Sequence, residues 1–520
     1  MEDYHWADQV AAKIIKEKGN KKEYIVATGV TPSGTIHIGN FRELITGDFI
    51  VKALEKKGKG AIHYHYWDDY DVFRKIPVNM PKQDILQEYL RQALIYVPDV
   101  IDGKHKNYPE HNEKEVENIL PAVGVTPKFL KQSELYQKCA YAEEIKTALE
   151  KINDIKEIAN KRRKEDLKED WLPVSVYCEK CHLEANQITY DGNYTISYEC
   201  NCGNKDTFDF RKKGLVKLKW RIQWPAWWHL RKVDFESAGK DHFASGGSID
   251  TGREIQKKIY GSEPPLGFGF GWISVKGGKQ FSSSGGVIIT LKEALEIYEP
   301  AIIRWLFAGS RPSAEFAISF DLDVLKIYED FDKTERIYFE NEKVDNIKKK
   351  ETEKRTYELS MVDIPEKMPL QPSFRHLTTL SQIYNFNIEK VMKEYDVKED
   401  YDKKRLKTRI ECAISWLRKY APDEYKFELQ EKVSEEVKKK LHKKEKEALL
   451  IIVEKMKEKK YNEKTLFEEF YNVSKELGLE PKDFFRAAYY VLLNKEKGPK
   501  LAHFVLLLGD KATRLFEELK

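Results

Sequence analysis

The chain has 520 residues, enough for several buried cores at roughly 150 residues per domain. Charged residues make up 34% and aromatic residues 12%, which excludes a disordered polymer, a collagen and a disulfide-framed mini-protein. The net charge of +4 is unevenly spread: residues 341–520 carry 40 Lys and Arg against 34 Asp and Glu, while the first 340 carry 50 against 52. The basic excess falls in the C-terminal third, where RNA would bind by releasing counterions. A solvated Lys/Glu-rich helical surface has the same composition.

In chain order, Tyr24–Thr28 is a short apolar, β-prone run, broken at Gly29-Val30-Thr31-Pro32-Ser33-Gly34 by loop-forming Gly and Pro. Phe41, Leu44, Ile45, Ile50 and Leu54 then recur at helical spacing up to a stop at Gly58. A second strand over Ala61–Trp67 ends in Asp68-Asp69-Tyr70-Asp71. Strand, helix and strand in this order form a βαβ unit, which predicts a parallel sheet with ligands at the carboxyl ends of its strands. Residues near 82–170 read as mostly helical and charged, and Val174–Phe210 as short polar strands around paired cysteines. An α/β pattern resumes near Leu215 and runs to about Gly309. Lys/Glu-rich helices dominate from Ile337 onward.

The expected fold is an α/β Rossmann-type catalytic domain with a zinc-ribbon-like insertion and an all-α C-terminal domain. Its segments are 1–100 (first half of the catalytic domain), 101–212 (a connecting insertion with the ribbon at 174–210) and 213–310 (second half). A linker over 311–345 and a helical domain over 346–520 complete it.

The opening residues Met1-Glu2-Asp3-Tyr4-His5-Trp6 lack the basic-then-apolar pattern of a secretory signal, and nothing approaches about 18 consecutive apolar residues. Four of the six cysteines sit in two close pairs, Cys178/Cys181 and Cys200/Cys202, which suits metal binding in a reducing compartment. A soluble, cytoplasmic protein with no membrane partner is expected. C-x₂-C with C-x-C over short strands predicts a closed, structural Zn²⁺ site. A weaker second cluster, Asp99, Asp102, His105 and His111, has lysine at Lys104 inside it, which argues against metal. Cys139 and Cys412 are isolated and expected to be buried packing residues.

Two motifs carry chemistry. Pro32-Ser33-Gly34-Thr35-Ile36-His37-Ile38-Gly39-Asn40 lies in a βα turn, where backbone N–H groups and the helix dipole favour phosphate. His37 either donates to charge building on a phosphate or merely caps the helix. Lys276-Gly277-Gly278-Lys279-Gln280-Phe281-Ser282-Ser283-Ser284-Gly285-Gly286 is a Gly/Ser loop with cations at its start, able to close over a triphosphate or to serve as a surface linker.

Placed about 240 residues apart, these motifs resemble the HIGH and KMSKS signatures of class I aminoacyl-tRNA synthetases. Trp67-Asp68-Asp69-Tyr70-Asp71, Trp220-Arg221-Ile222-Gln223-Trp224-Pro225-Ala226, Gly239-Lys240-Asp241-His242 and Gly246-Gly247-Ser248 resemble the class I lysyl-tRNA synthetases, an archaeal-type family. So do Ser319-Phe320-Asp321-Leu322-Asp323-Val324, Phe374-Arg375-His376-Leu377 and Lys497-Gly498-Pro499, so the resemblance covers the whole chain. It implies a lysine–tRNA ligase whose partners are ATP with Mg²⁺, L-lysine and tRNA(Lys), with no DNA. By resemblance, His37, Asn40, Lys279, Ser282 and Ser283 serve catalysis. Pro32, Ser33, Gly34, Gly39, Gly239, Asp241, Gln280 and Ser284 join them around ATP. Gly29, Thr31, Trp220 and His242 line the lysine site. The substrate ammonium needs a carboxylate, for which Glu43 leads and Asp68, Asp69 and Asp71 are weaker candidates.

The family pattern at the second motif resembles Lys-Met-Ser-Ser-Ser-Lys-Gly. Here Gln280 and Phe281 stand at its first two positions and Gly285 at its second lysine, so the cation falls to Lys279 or Lys276, or activation is impaired. Phe270-Gly271-Trp272 likewise stands where a Tyr-Glu pair commonly precedes an aromatic. The alternatives are a catalytically impaired, tRNA-binding paralogue and another HIGH-motif nucleotidyltransferase. In the helical third, Arg405, Arg409, Trp416, Arg418 and Lys419 are candidate RNA contacts or core residues.

Overall fold

The computed structural model describes residues 3–276 and 289–520. Its central sheet is parallel throughout and four strands wide. β1 (Glu23–Val30) pairs with β2 (Gly60–Trp67) in unbroken register from Glu23 opposite Gly60 to Val30 opposite Trp67. β3 (Lys128–Lys131) adds to the outer edge of β2, and the two-residue strand Phe235–Glu236 adds to β1 on the other side. The helix Ile38–Lys56 joins β1 to β2 and buries Phe41, Leu44, Ile45, Ile50 and Leu54. These are the five residues whose spacing marks the helix in the sequence.

One feature departs from the sequence reading. β3 interrupts the stretch 82–170 expected to be helical: its Phe129 stacks on Trp67 with ring planes 5° apart, while the lysines at both of its ends hide the strand pattern. The strand Phe235–Glu236 lies past the cysteine-bearing segment, so the sheet is assembled from chain on both sides of it. That segment is an antiparallel meander of Gln187–Gly192, Thr195–Glu199 and Lys205–Asp209. The paired strands Val174–Val176 and Val216–Leu218 stand at its base.

The chain divides into two units, one comprising residues up to 319 with 333–368, the other 320–332 with 369–520. The helix Ile347–Ser360, expected to open the helical domain, belongs to the first unit. Its Arg355 pairs with Asp8 at 2.9 Å, and its Leu359 carbonyl accepts Nε of buried Arg304 at 2.9 Å. The second unit is helical, with a core that includes Leu449, Ile452, Phe470, Val491 and Phe504. Among the described residues no helix is long and apolar enough to cross a membrane.

Three of the candidate RNA contacts are core residues. Arg409 is fully buried, forks onto Asp332 at 2.9 and 3.0 Å, and donates to the Pro372 carbonyl. Trp416 is fully buried and donates its indole N–H to the Phe320 carbonyl at 3.0 Å. Arg405 is buried over the Phe331 ring. The steps of four and three from 405 to 409, 412 and 416 place them with buried Cys412 on the inner face of the helix Asp400–Lys419, leaving Arg418 and Lys419 outside. Cys139, expected to be buried, is only half-buried, in a left-handed turn at φ 55°.

Candidate active site

The chain leaves β1 at Val30 and re-enters helix at Ile38, so the first motif spans the carboxyl end of a central strand and a helix N-terminus. His37 is the N-cap. Its Nδ1 accepts the Gly39 N–H at 3.1 Å, and Asn40 Oδ1 accepts the His37 N–H at 3.2 Å. With Nδ1 as acceptor, the neutral ring carries its hydrogen on Nε2, and burial lowers the imidazole pKa to keep it neutral. Capping therefore sets the tautomer of His37 and leaves a role toward a ligand intact. Behind the loop, the helix Tyr108–Ile119 holds it: Tyr108 Oη donates to the Ser33 carbonyl at 3.0 Å and Asn112 Nδ2 to the Pro32 carbonyl at 3.3 Å.

Of the second motif, Lys279, Gln280, Ser282, Ser283 and Ser284 lie outside the described residues. The chain reappears at Ile289, whose carbonyl accepts the Ile38 N–H at 2.8 Å.

A cavity of about 350 Å³ opens here. Ser33, Gly34, His37 and Asn40 line it from the helix end, and Gly29, Thr31, Glu43, Trp220 and His242 also line it. Nine of the expected site residues therefore meet in one place. Gly239 and Asp241 do not line it: they flank the start of the short helix Lys240–Phe243, with Asp241 exposed and His242 alone turned inward. Phe270, Gly271 and Trp272 also lie outside the lining, and the Gly271 carbonyl accepts Arg42 instead.

Glu43 lies one turn along the helix from Asn40 and accepts the Gly29 N–H at 2.6 Å. Burial pushes its carboxyl well above the usual range; the Gly29 bond opposes this, and Glu236 and Asp68 add to it. Asp68 is also raised, first by burial and then by Asp71, although Gln223 donates to it at 2.7 Å. Asp71 pairs with the buried Lys217 at 2.6 Å. Asp69 belongs elsewhere: it accepts the N–H and hydroxyl of Ser133 and ties the end of β2 to the helix Gln132–Gln137 that follows β3. Among the described residues, Lys217 pairs with one of the three cavity carboxylates, Asp71, and does not itself line the cavity.

Sequence reasoning missed the aromatic wall and what anchors it. Trp224 and Trp227 line the cavity, and both donate their indole N–H to Glu236, as Trp228 does. The only signal was a helix with tryptophans at 220, 224, 227 and 228, on the spacing of one face.

The four paired cysteines converge, with Sγ atoms 3.6 Å apart for Cys178 and Cys202 and 3.5 Å for Cys181 and Cys200. Ligands about 2.3 Å from a tetrahedral zinc stand about 3.8 Å from one another, so the donor set fits that ion. His182 stacks on Tyr96 instead of joining them. In the weaker cluster, Asp102, His105 and His111 gather. Asp99, whose two oxygens accept the backbone N–H groups of Ile101 and His105, stands 3.6 Å from His111 but outside this group of three. Lys104 is mostly exposed, its ammonium 3.9 Å from Asp102.

A parallel sheet with a capped helix N-terminus, an acidic, tryptophan-walled cavity and a cysteine ribbon defines an α/β enzyme of synthetase type. The family model described as tRNA synthetases class I (K) matches residues 4–363. A lysine–tRNA ligase of Borreliella burgdorferi is 46% identical over 513 residues, covering 98% of each chain. Those of Treponema pallidum and Thermococcus kodakarensis are 42% and 41% identical, covering 98% and 97% of this chain and 97% of theirs. The chain belongs to the class I tRNA synthetases (K).

Proposed function

We propose that this synthetase joins L-lysine to tRNA(Lys) at the expense of ATP, and that Glu43 receives the substrate's side-chain ammonium. The names of its relatives support lysine, and the charge balance of the cavity supports it independently. Lysine brings two ammonium groups and one carboxylate; among the described residues the cavity lining carries Glu43, Asp68 and Asp71 and no lysine or arginine, with Lys217 paired to Asp71 from outside the lining. A cation entering there pairs with Glu43, whose carboxyl is raised first by burial and further by Glu236 and Asp68. That buried, unneutralised carboxylate carries the reading.

The first step is attack of the lysine carboxylate oxygen on the α-phosphorus of ATP, which enters with Mg²⁺. The bond from the α-phosphorus to the β-bridging oxygen breaks, and pyrophosphate leaves. In the second, a terminal ribose hydroxyl of the tRNA attacks the lysyl carbonyl, its proton is lost and AMP departs. No enzyme nucleophile is needed, so catalysis is positioning and charge stabilisation. His37 offers its Nε2–H to the α-phosphate as charge builds, Asn40 and the 33–34 backbone orient the nucleotide, and the family resemblance assigns Lys279, Ser282 and Ser283 to the triphosphate. Cys178, Cys181, Cys200 and Cys202 would hold Zn²⁺ as a structural cross-link with no open position.

The test is amino-acid-dependent exchange of pyrophosphate into ATP across all twenty amino acids, followed by transfer to tRNA. Lysine alone should support rapid exchange and yield charged tRNA(Lys). Faster exchange with another amino acid, or none at all in folded protein, would refute the assignment and favour the impaired paralogue.

A further inference from the structure

One buried carboxylate beside the cavity has no part in that reaction. Glu236 sits on the short strand that extends the sheet beyond β1, with Ala27 as its register partner, and is 2% exposed. Among the described residues no lysine, arginine or histidine forms an ion pair with it. Its partners are three indoles: Oε1 accepts Trp224 Nε1 at 2.7 Å, and Oε2 accepts Nε1 of Trp228 at 2.5 Å and of Trp227 at 3.2 Å. Residues 224, 227 and 228 share one face of the helix Trp220–Arg231, so a single carboxylate gathers the whole face. A carboxylate buried without a cation is costly, and a core serving stability alone would do as well with a neutral acceptor.

What Glu236 fixes is the cavity wall. Trp224 and Trp227 line the cavity, whereas Glu236 does not. The Trp227 ring lies so close to Gly29 that a Cβ there would stand 2.5 Å from Cη2, and the Gly29 N–H is the one that Glu43 accepts. The Trp224 ring is 5.3 Å from that of His242 and 6.4 Å from that of Trp220, both on the cavity lining.

We infer that Glu236 is a positioning residue for the amino-acid pocket, holding Trp224 and Trp227 by their indole N–H groups as the wall against which Gly29, Glu43 and the substrate side chain are set. This rests on the proposed amino-acid activation. Glu236→Gln keeps the shape and one carbonyl oxygen but turns an amide N–H₂ toward an indole N–H, so at least one ring must rotate. In pyrophosphate exchange the variant should raise the KM for lysine at least tenfold, with kcat and the KM for ATP within about threefold of wild type. Trp227→Phe, which deletes that hydrogen bond and the ring atoms packed on Gly29, should raise the lysine KM in the same sense and carries the test if the glutamine variant does not fold. Because both disturb the same carboxylate–indole cluster, the double variant should exceed the larger single effect by no more than about threefold. An unchanged lysine KM in these variants, or a fall in kcat at constant KM, would overturn the inference. Wild-type protein that ignores lysine would overturn the substrate reading instead, and the comparison would then use whichever amino acid it activates. Activation of none would overturn both.

Discussion

Replacing Glu43 by glutamine isolates the charge on which the lysine reading depends. The amide oxygen can still accept the Gly29 N–H now held at 2.6 Å, and the volume is unchanged. Only the negative charge goes. Truncating one partner of a buried, hydrogen-bonded charge pair costs about 2–5 kcal/mol, or roughly 30- to 4,000-fold in affinity. Asp68 remains to share the ammonium, which places the expected rise in lysine KM toward the lower end, about 30- to 100-fold. The KM for ATP should stay near wild type. Stability should move the opposite way. Burial raises the carboxyl of Glu43 above its ordinary 4.5, so its contribution is fully present below that value and is lost as pH rises through the higher, folded value. Glutamine does not titrate. Ligand-free Glu43→Gln should therefore melt above ligand-free wild type at pH 8, with the gap closing toward pH 4.5. Saturating lysine should reverse the order at pH 8, because only wild type gains the ion pair. Steady-state exchange kinetics and thermal melts read these outcomes. A lysine KM within threefold of wild type would remove Glu43 as the ammonium partner.

His37→Ala should lower the rate of adenylate formation by about 10²-fold through lost charge stabilisation, while the lost cap costs only about 1 kcal/mol of stability. Near-normal exchange would leave His37 as a cap alone. The purified protein should carry zinc on its four cysteines, and chelation should open the stretch 174–210 to protease. A metal-free sample of equal resistance would defeat the structural role. Arg409→Met should cost about 3–5 kcal/mol in urea unfolding, because it strands Asp332 without its fully buried partner. A loss below 1 kcal/mol would show that Asp332 finds other partners.

How much of this was legible in the sequence depended on whether a residue's role is set by its neighbours in the chain. The first βαβ unit was readable because Phe41, Leu44, Ile45, Ile50 and Leu54 all face one core, and a period survives when one surface decides every position. The cysteine ribbon was readable for a similar reason, since a tetrahedral site made from two short loops constrains spacing within each loop. Glu43 was reachable because one helical turn links it to Asn40. The three aspartates after β2 were not separable, since whether each meets Lys217, Gln223 or Ser133 depends on chain more than 60 residues away. Arg409 and Trp416 show the converse: a cation and an aromatic on a basic helix suggest RNA until Asp332 and the Phe320 carbonyl are placed opposite them.

The amino-acid pocket is where local reading and long-range assembly divide most sharply. Its phosphate end is one continuous stretch, Ser33 to Asn40, whose cap, loop and helix dipole follow from adjacent residues. Its side-chain end joins the carboxyl ends of β1 and β2 to the helix Trp220–Arg231, some 190 residues beyond Gly29. A nucleotide needs the same donors whatever amino acid is activated, so that half can be written as a motif. Selectivity must vary between enzymes that share the motif, and in the reading proposed here it falls to Glu43 and to a wall of tryptophans fixed by a carboxylate on another strand. The residues that distinguish one amino acid from another are those whose positions only the folded chain determines.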